Sequence, residues 1–234
     1  MSVELISYRD PALQATGLAA LVAGTLRAAI EARGQASLAV PGGTTPAPFL
    51  RALSGADLDW AHIRVMPTDE RWVAADSPRS NARLLRETLL QGPAAAATLI
   101  PLAAPASAPE DALDGLASAV AAALPLDVCV LGMGEDMHTA SLFPGADRLN
   151  DALDPDCPSP LLPIRAPAAP EPRITLTAPA LLGAAHLHLL IKGRAKLRAF
   201  ERAERAGPVA EAPVRLILRA PQGVRVHYTE ESTP

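Results

Sequence analysis

The sequence predicts an α/β fold: a mostly parallel, doubly wound open sheet with helices on both faces. Two observations lead to it. Short apolar runs alternate with segments of helical spacing along the 234 residues, and such alternation places crossover helices over both sides of a parallel sheet. Two of the runs also break into glycine turns, Gly42-Gly43 after Val40 and Gly132 to Gly134 after Leu131. In open α/β sheets the carboxyl ends of the strands are where ligands bind. The crossovers should be right-handed.

Taken in order, Val3 to Tyr8 reads as a short strand. Asp10 caps a helix with Pro11 in its first turn, and Leu18, Leu21, Val22, Leu26, Ala29 and Ile30 follow at helical spacing until Gly34. Ser37 to Val40 is a strand, and Pro41-Gly42-Gly43-Thr44-Thr45-Pro46 turns into a helix through about Leu53. Ile63 to Met66 is a strand, followed by a polar loop from Pro67 to Arg79. Ser80 caps a helix bearing Leu84, Leu85, Leu89 and Leu90. Thr98 to Pro101 is a short strand, Asp111 to Leu124 an Ala-rich helix, and Asp127 to Leu131 an apolar strand. Pro101 to Pro109 and Pro155 to Pro172 read as surface connections, because proline removes a backbone donor and breaks regular elements. Beyond them come a helical turn at Thr177 to Leu182, an apolar strand at His186 to Ile191, a turn at Gly193 and a charged helix at Arg194 to Ala206. Ala212 to Leu218 fits helix or strand, and Val224 to Tyr228 is a final strand. With no internal repeat and no clear boundary, residues 1–234 are expected to form one domain.

Composition narrows the function classes. A chain of this length, 49% hydrophobic, can bury a substantial core. A net charge of -4 argues against a nucleic-acid binder with a broad basic surface, though not against a local cationic pocket. No apolar run reaches the ~18 residues a membrane span needs. Met1 to Glu4 lacks a basic region ahead of an apolar core, so no signal peptide is expected. Cys129 and Cys157 have no metal spacing; a disulfide is not expected, and a cytoplasmic setting fits. His186 and His188 face one side of a strand, but without further donors they read as packed or hydrogen-bonded rather than metal-bound. His62 and His227 carry no local signal, and Trp60 and Trp72 read as packing residues, Trp72 with the option of walling a pocket.

Three loop groups carry the remaining polar chemistry. In Gly42-Gly43-Thr44-Thr45, exposed backbone N–H groups and a helix dipole suit a phosphate. The spaced glycine and lysine of a P-loop are missing, so alone this is an ordinary tight turn. In Thr68-Asp69-Glu70-Arg71-Trp72-Val73, continuing to Ser80-Asn81, Arg71 and Arg79 can grip a phosphate or carboxylate in bidentate fashion. Asp69 and Glu70 can accept sugar hydroxyls or orient Arg71; a solvated charged loop is the plainer reading. The third group is Arg173-Ile174-Thr175-Leu176-Thr177 with Leu190-Ile191-Lys192-Gly193-Arg194-Ala195-Lys196, where Lys192 and Arg194 read as surface residues.

The most informative string runs from Leu131 to Gly145. Glu135, Asp136, His138, Thr139 and Ser141 crowd within ten residues of a strand-end turn, a cluster able to aim a proton acceptor at a small polar substrate. Met137 stands where a dinucleotide fingerprint needs its third glycine.

The string Gly132-Met133-Gly134-Glu135-Asp136-Met137-His138-Thr139-Ala140-Ser141-Leu142-Phe143-Pro144-Gly145 resembles the hallmark of 6-phosphogluconolactonases, with Met137 in place of a glycine. The Asp69-Glu70-Arg71-x-Val73 run with the later Ser80-Asn81, the Arg-x-Thr-Leu-Thr segment at Arg173 and the Gly-x-x-Lys segment ending at Lys196 resemble the same family. Pro41 to Pro46 is similar to its Ser-Gly-Gly-Ser-Thr-Pro, with Pro41 and Thr44 replacing serines. These matches span nearly the whole chain in the right order.

The resemblance implies hydrolysis of 6-phosphoglucono-δ-lactone to 6-phosphogluconate in the oxidative pentose phosphate route, with no metal or organic cofactor. The partner is a small phosphorylated sugar lactone, with no nucleic acid and no membrane, and the protein is expected as a monomer or small homo-oligomer. His138 is the expected base, because an imidazole titrates near neutrality. Asp136 orients it or holds a sugar hydroxyl. Gly42, Gly43, Thr44, Thr45, Asp69, Arg71, Arg79, Gly132, Gly134, Arg173 and Lys196 are the expected substrate contacts. A lactone is an activated ester that needs a directed water and help for its oxyanion. No Gly-x-Ser-x-Gly elbow is present, which disfavours a serine acyl-enzyme. If the family glycine has φ > 0, methionine there costs roughly 1 kcal/mol or more and its side chain is expected to narrow the site. Two alternatives stay open: a glucosamine-6-phosphate isomerase/deaminase of similar fold, and a non-catalytic sugar-phosphate sensor.

Overall fold

The computed structural model describes residues 2–231. Met1, where the leader reading begins, and positions 232–234, which the one-domain expectation includes, lie outside the described residues. The elements are β1 (Val3–Tyr8), α1 (Pro11–Arg33), β2 (Ala36–Val40), α2 (Ala47–Ser54), β3 (Ile63–Pro67), β4 (Asp69–Arg71), α3 (Asn81–Thr88), β5 (Thr98–Leu99), α4 (Leu113–Ala121), β6 (Val128–Gly132), α5 (Leu149–Leu153), β7 (Leu161–Ile164), β8 (Arg173–Leu176), α6 (Ala178–Leu182), β9 (His186–Lys192), α7 (Arg194–Glu204), α8 (Arg215–Leu218) and β10 (Val224–Thr229).

The main sheet has seven strands in the order β1-β10-β9-β6-β2-β3-β5, and every neighbouring pair is parallel. The chain moves outward from β2 through β3 to β5, returns to place β6 beside β2, then moves the other way. The strand order therefore reverses between β2 and β6, and at such a switch point the two strand ends leave a crevice. Strand β6 shows why its sequence is uninterruptedly apolar: Val128 and Val130 pack into one core with Leu18, Val22, Phe49 and Leu85. Cys129 and Leu131 pack into the opposite core with Leu142, Ile174 and Phe200. Both faces of the strand are buried, so no polar alternation survives.

Helix α1 begins as its sequence predicts. Asp10 Oδ1 accepts from the Leu13 N–H at 2.9 Å, and Gly34 closes it at φ 74°. Its 23 residues are long and apolar enough to cross a membrane, which corrects the expectation that no such run exists. Here it covers the sheet: Leu18, Val22 and Leu26 are fully buried, and Gln14 Nε2 donates to the Ile191 and His227 carbonyls at 2.9 Å each.

The main correction is a second, three-stranded antiparallel sheet in the order β4-β8-β7. From sequence Asp69–Arg71 and Arg173–Leu176 read as loop, and Leu161–Ile164 as part of a proline-rich surface connection. Strands of three or four residues are too short to show a period, and Pro163 masks a segment that is wholly buried. Its strand lies at the sheet edge, where a missing N–H is tolerated. Ala212 to Leu218 resolves as the short helix α8.

Side chains of three neighbouring main-sheet strands, β9, β10 and β1, form a hydrogen-bonded chain that is buried at its His188–His227 end. His188 Nδ1 is 2.9 Å from His227 Nε2, and His227 Nδ1 is 2.8 Å from Tyr8 Oη. Burial, reinforced by neighbouring positive groups, pushes His188 down to about 3 and His227 to about 4. His186 is exposed. His227, which had carried no local signal, becomes the centre of this chain.

Candidate active site

The crevice at the switch point opens into a cleft of about 180 Å³ lined from both sheets and from the ends of β2, β6 and β9. After β2 the backbone turns through Gly43 at φ 94°. A Cβ at Gly42 would overlap the side chain of Asn81, whose Nδ2 donates to the Asp69 carbonyl at 2.7 Å. Thr44 and Thr45 then face the cleft at the start of α2.

The loop after β6 is built around His138. Its carbonyl accepts from the Gly134 N–H at 2.9 Å, and Thr139 Oγ1 donates to the Gly132 carbonyl at 2.8 Å. Met137 has φ 65° and Ala140 φ 48°, so non-glycine residues in the left-handed region stand on both sides of the histidine. The glycine-like geometry expected at position 137 is therefore real. The Met137 side chain, however, packs against the core rather than lining the cleft.

His138 Nδ1 lies 2.6 Å from Asp136 Oδ1, which also accepts the His138 backbone N–H at 3.2 Å. Burial works against ionisation of Asp136, but the hydrogen bonds and charge of His138 outweigh it and hold the carboxyl below the usual range. A carboxylate only accepts, so Nδ1 carries a proton, and in the neutral ring Nε2 keeps its lone pair. Gly134 is required here, because a Cβ would overlap both Asp136 Oδ1 and His138 Nδ1. The imidazole packs 4.1 Å from the Phe143 ring.

The small sheet supplies the opposite wall. Asp69 and Arg173 are both buried. Arg173 Nη1 is 3.5 Å from Asp69 Oδ2, and its guanidinium lies 5.2 Å from the Phe143 ring centroid. Burial lowers the Arg173 pKa, with Asp69 opposing that shift, and a guanidinium stays charged regardless. The Nε groups of Arg71 and Arg173 are buried without a partner. Buried orphan donors are costly, and an anion in the cleft is the natural acceptor. Lys192 at the end of β9 and Lys196 in the first turn of α7 complete a cationic rim.

Comparison with known proteins shows the family. The family profile described as glucosamine-6-phosphate isomerases/6-phosphogluconolactonase matches residues 9–227. The chain belongs to this family. A 6-phosphogluconolactonase of Rhizobium meliloti is 46% identical over 221 residues, covering 94% of this chain and 95% of the relative. One from Pseudomonas aeruginosa is 48% identical over 229 residues, covering 97% and 94%. The crystal structure of a 6-phosphogluconolactonase from Shewanella baltica superposes with a TM-score of 0.90 at 34% identity, covering 99% of this chain and 98% of that one.

Within this family frame most sequence-predicted site residues share one cleft. Gly42, Gly43, Thr44, Thr45, Asp69, Arg71, Gly132, Gly134, His138, Arg173 and Lys196 all line it, and Asp136 adjoins it through His138. Arg79 is a correction. Its side chain turns to Glu171, with Nε 2.7 Å from Oε1, and its carbonyl serves the site instead by accepting from Arg71 Nη1 at 2.5 Å. Glu70 is also not a sugar contact. It is buried and accepts from the N–H groups of Arg71, Asn81 and Ala82 and from Ser80 Oγ, stapling the loop to α3. Burial nevertheless raises its pKa against those bonds. Trp72 donates to the Ala106 carbonyl and does not wall the cleft. Lys192, read as a surface residue, lines it; its place at a strand's carboxyl end was the available signal.

Proposed function

We propose that this chain hydrolyses 6-phosphoglucono-δ-lactone to 6-phosphogluconate, the lactone-opening step of the oxidative pentose phosphate route. The observation that carries the reading is the His138–Asp136 pair, 2.6 Å apart, at the edge of a cleft rimmed by Arg71, Arg173, Lys192 and Lys196. The names and near-complete coverage of the relatives support it. The cations hold the phosphate of a dianionic substrate and set the ring against the Gly132 to Gly134 backbone. A water attacks C1 and gives its proton to His138 Nε2. Asp136 stabilises the imidazolium and fixes its tautomer. When the tetrahedral intermediate collapses, the bond from C1 to the ring oxygen breaks and His138 returns the proton to that oxygen. The product acid then loses its proton to solvent. No step needs a metal or organic cofactor. We place this work in the cytoplasm, performed by residues 1–234 as one catalytic domain; the free cysteines fit a reducing compartment.

The test is a coupled assay that removes freshly made lactone and subtracts its spontaneous decay. Acceleration by the wild-type chain, and a kcat loss of roughly 10²-fold or more in His138→Ala with an unchanged melting temperature, is expected. Turnover near wild type in that variant removes the assignment of His138. Ammonia release from glucosamine 6-phosphate points instead to the isomerase/deaminase branch, and binding of substrate without accelerated lactone loss points to a sensor.

A further inference from the structure

We propose that Ser141 is a positioning residue: its hydroxyl occupies one oxygen of Asp69 and so keeps Arg173 free for the anionic substrate. The inference rests on the lactonase reading only for the identity of that anion.

Ser141 belongs to the same string as His138 but does not line the cleft. It is fully buried. Its Oγ donates to Asp69 Oδ2 at 2.5 Å, and its N–H donates to Thr175 Oγ1 at 3.3 Å. One residue on the β6 loop is thus bound to β4 and β8 of the small sheet. The hydroxyl reaches the site only through Asp69 and Arg173.

The distances show what it does there. A buried carboxylate and guanidinium with nothing between them close to about 2.7–2.9 Å and pair in bidentate fashion. Arg173 instead stands 3.5 Å from Asp69 Oδ2 and 3.5 Å from Ser141 Oγ. The other Asp69 oxygen has only long contacts, 3.5 Å to Thr68 Oγ1 and 3.5 Å to Asn81 Nδ2. The serine bond is therefore the one short side-chain bond on this carboxylate, and it is made to the same oxygen that faces Arg173. Arg173 Nη1 is left with its two long contacts, to Asp69 Oδ2 and Ser141 Oγ, and its Nε has no partner. Without the hydroxyl, Arg173 is the nearest strong donor to Oδ2, and it closes onto Asp69. A substrate anion then has to break an internal ion pair before it binds. A hydrogen bond to a charged group carries enough energy for roughly a tenfold weakening or more.

The experiment uses the full chain and the variants Ser141→Ala, Ser141→Cys, Asp69→Asn and Ser141→Ala/Asp69→Asn. Kinetics on the lactone give KM and kcat, and calorimetry gives Kd for 6-phosphogluconate and for inorganic phosphate. Ser141→Ala is expected to raise KM and both Kd values about tenfold while kcat stays within about threefold. In the Asp69→Asn background, where the carboxylate trap is gone, the serine change should have no further effect on Kd. Ser141→Cys keeps nearly the same volume with a weaker donor and should shift Kd the same way by less; it carries the test if the alanine variant does not fold. Unchanged Kd values, a loss confined to kcat, or equal serine effects in the two Asp69 backgrounds overturns the proposal. Failure of the wild-type chain to speed lactone loss overturns the lactonase reading alone, since the Kd comparison with phosphate still decides the role of Ser141.

Discussion

Acid should unfold this protein through two imidazoles that do not line the cleft. His188 is 1% exposed and His227 is fully buried, and burial lowers them to about 3 and about 4. An unfolded imidazole titrates near 6.5. Both folded values lie below it, so the unfolded chain binds more protons once the pH falls through that range. Their contribution is complete above about pH 6.5 and is lost as the pH drops toward about 4. At pH 5 each unfolded ring is nearly fully protonated and each folded ring nearly neutral. Being about 1.5 pH units below 6.5, at ~1.36 kcal/mol per unit, costs ~2 kcal/mol per ring and about 4 kcal/mol for the pair. That is a large share of a typical domain's stability of roughly 5–15 kcal/mol. The carboxyls of Asp136 and Glu110, held below their ordinary range, lose their stabilising effect only at lower pH. Glu70, whose pKa is raised, acts in the opposite direction. These carboxyls are common to the wild type and to a variant lacking both rings, so the difference between the two from pH 8 to pH 5 isolates the histidines. Urea unfolding of the wild type and of a His188→Gln/His227→Gln variant at the two pH values measures the difference. The wild type should lose about 4 kcal/mol more than the variant. Equal losses would refute the claim that the pair is buried in its neutral form.

Three further outcomes are expected at the cleft. Gly134→Ala forces a Cβ into Asp136 and His138 and should lower kcat by about 10²-fold with KM little changed; steady-state kinetics near wild type would show that the loop yields at no cost. Lys196→Ala should raise KM at least tenfold, on the order of one lost charge-assisted contact, whereas Arg79→Ala, whose partner is Glu171, should leave KM within about twofold; a reversed order would return Arg79 to the substrate. Met137→Gly relieves a left-handed methionine by about 1 kcal/mol but costs about 0.5–1 kcal/mol of chain entropy. Melting temperature and turnover should both barely move, and faster turnover would show that Met137 slows the chemistry.

Legibility from sequence follows how local each signal is. The Asp10–Pro11 start and Gly34 stop of α1 were readable because capping involves groups within one turn. The central main-sheet strands were readable because burial on both faces leaves continuous apolar runs such as Val128 to Leu131. The small sheet was not: β4 spans Asp69–Arg71 and pairs with a strand about a hundred residues away, by pairing that leaves no local pattern. The position of Met137 at positive φ was readable only through the family likeness, since nothing in its neighbours requires it.

By itself the sequence determined the strands of the main sheet, the longer helices and which strings carry acid, base and cation, because periodicity, caps and strand-end glycines act over a few residues. Only the tertiary structure decided which of those groups meet. It sent Arg79 to Glu171 and Lys192 to the cleft, and it set the hydroxyl of Ser141 against Asp69. Such meetings depend on strand order, register and side-chain direction, which arise from packing between distant segments.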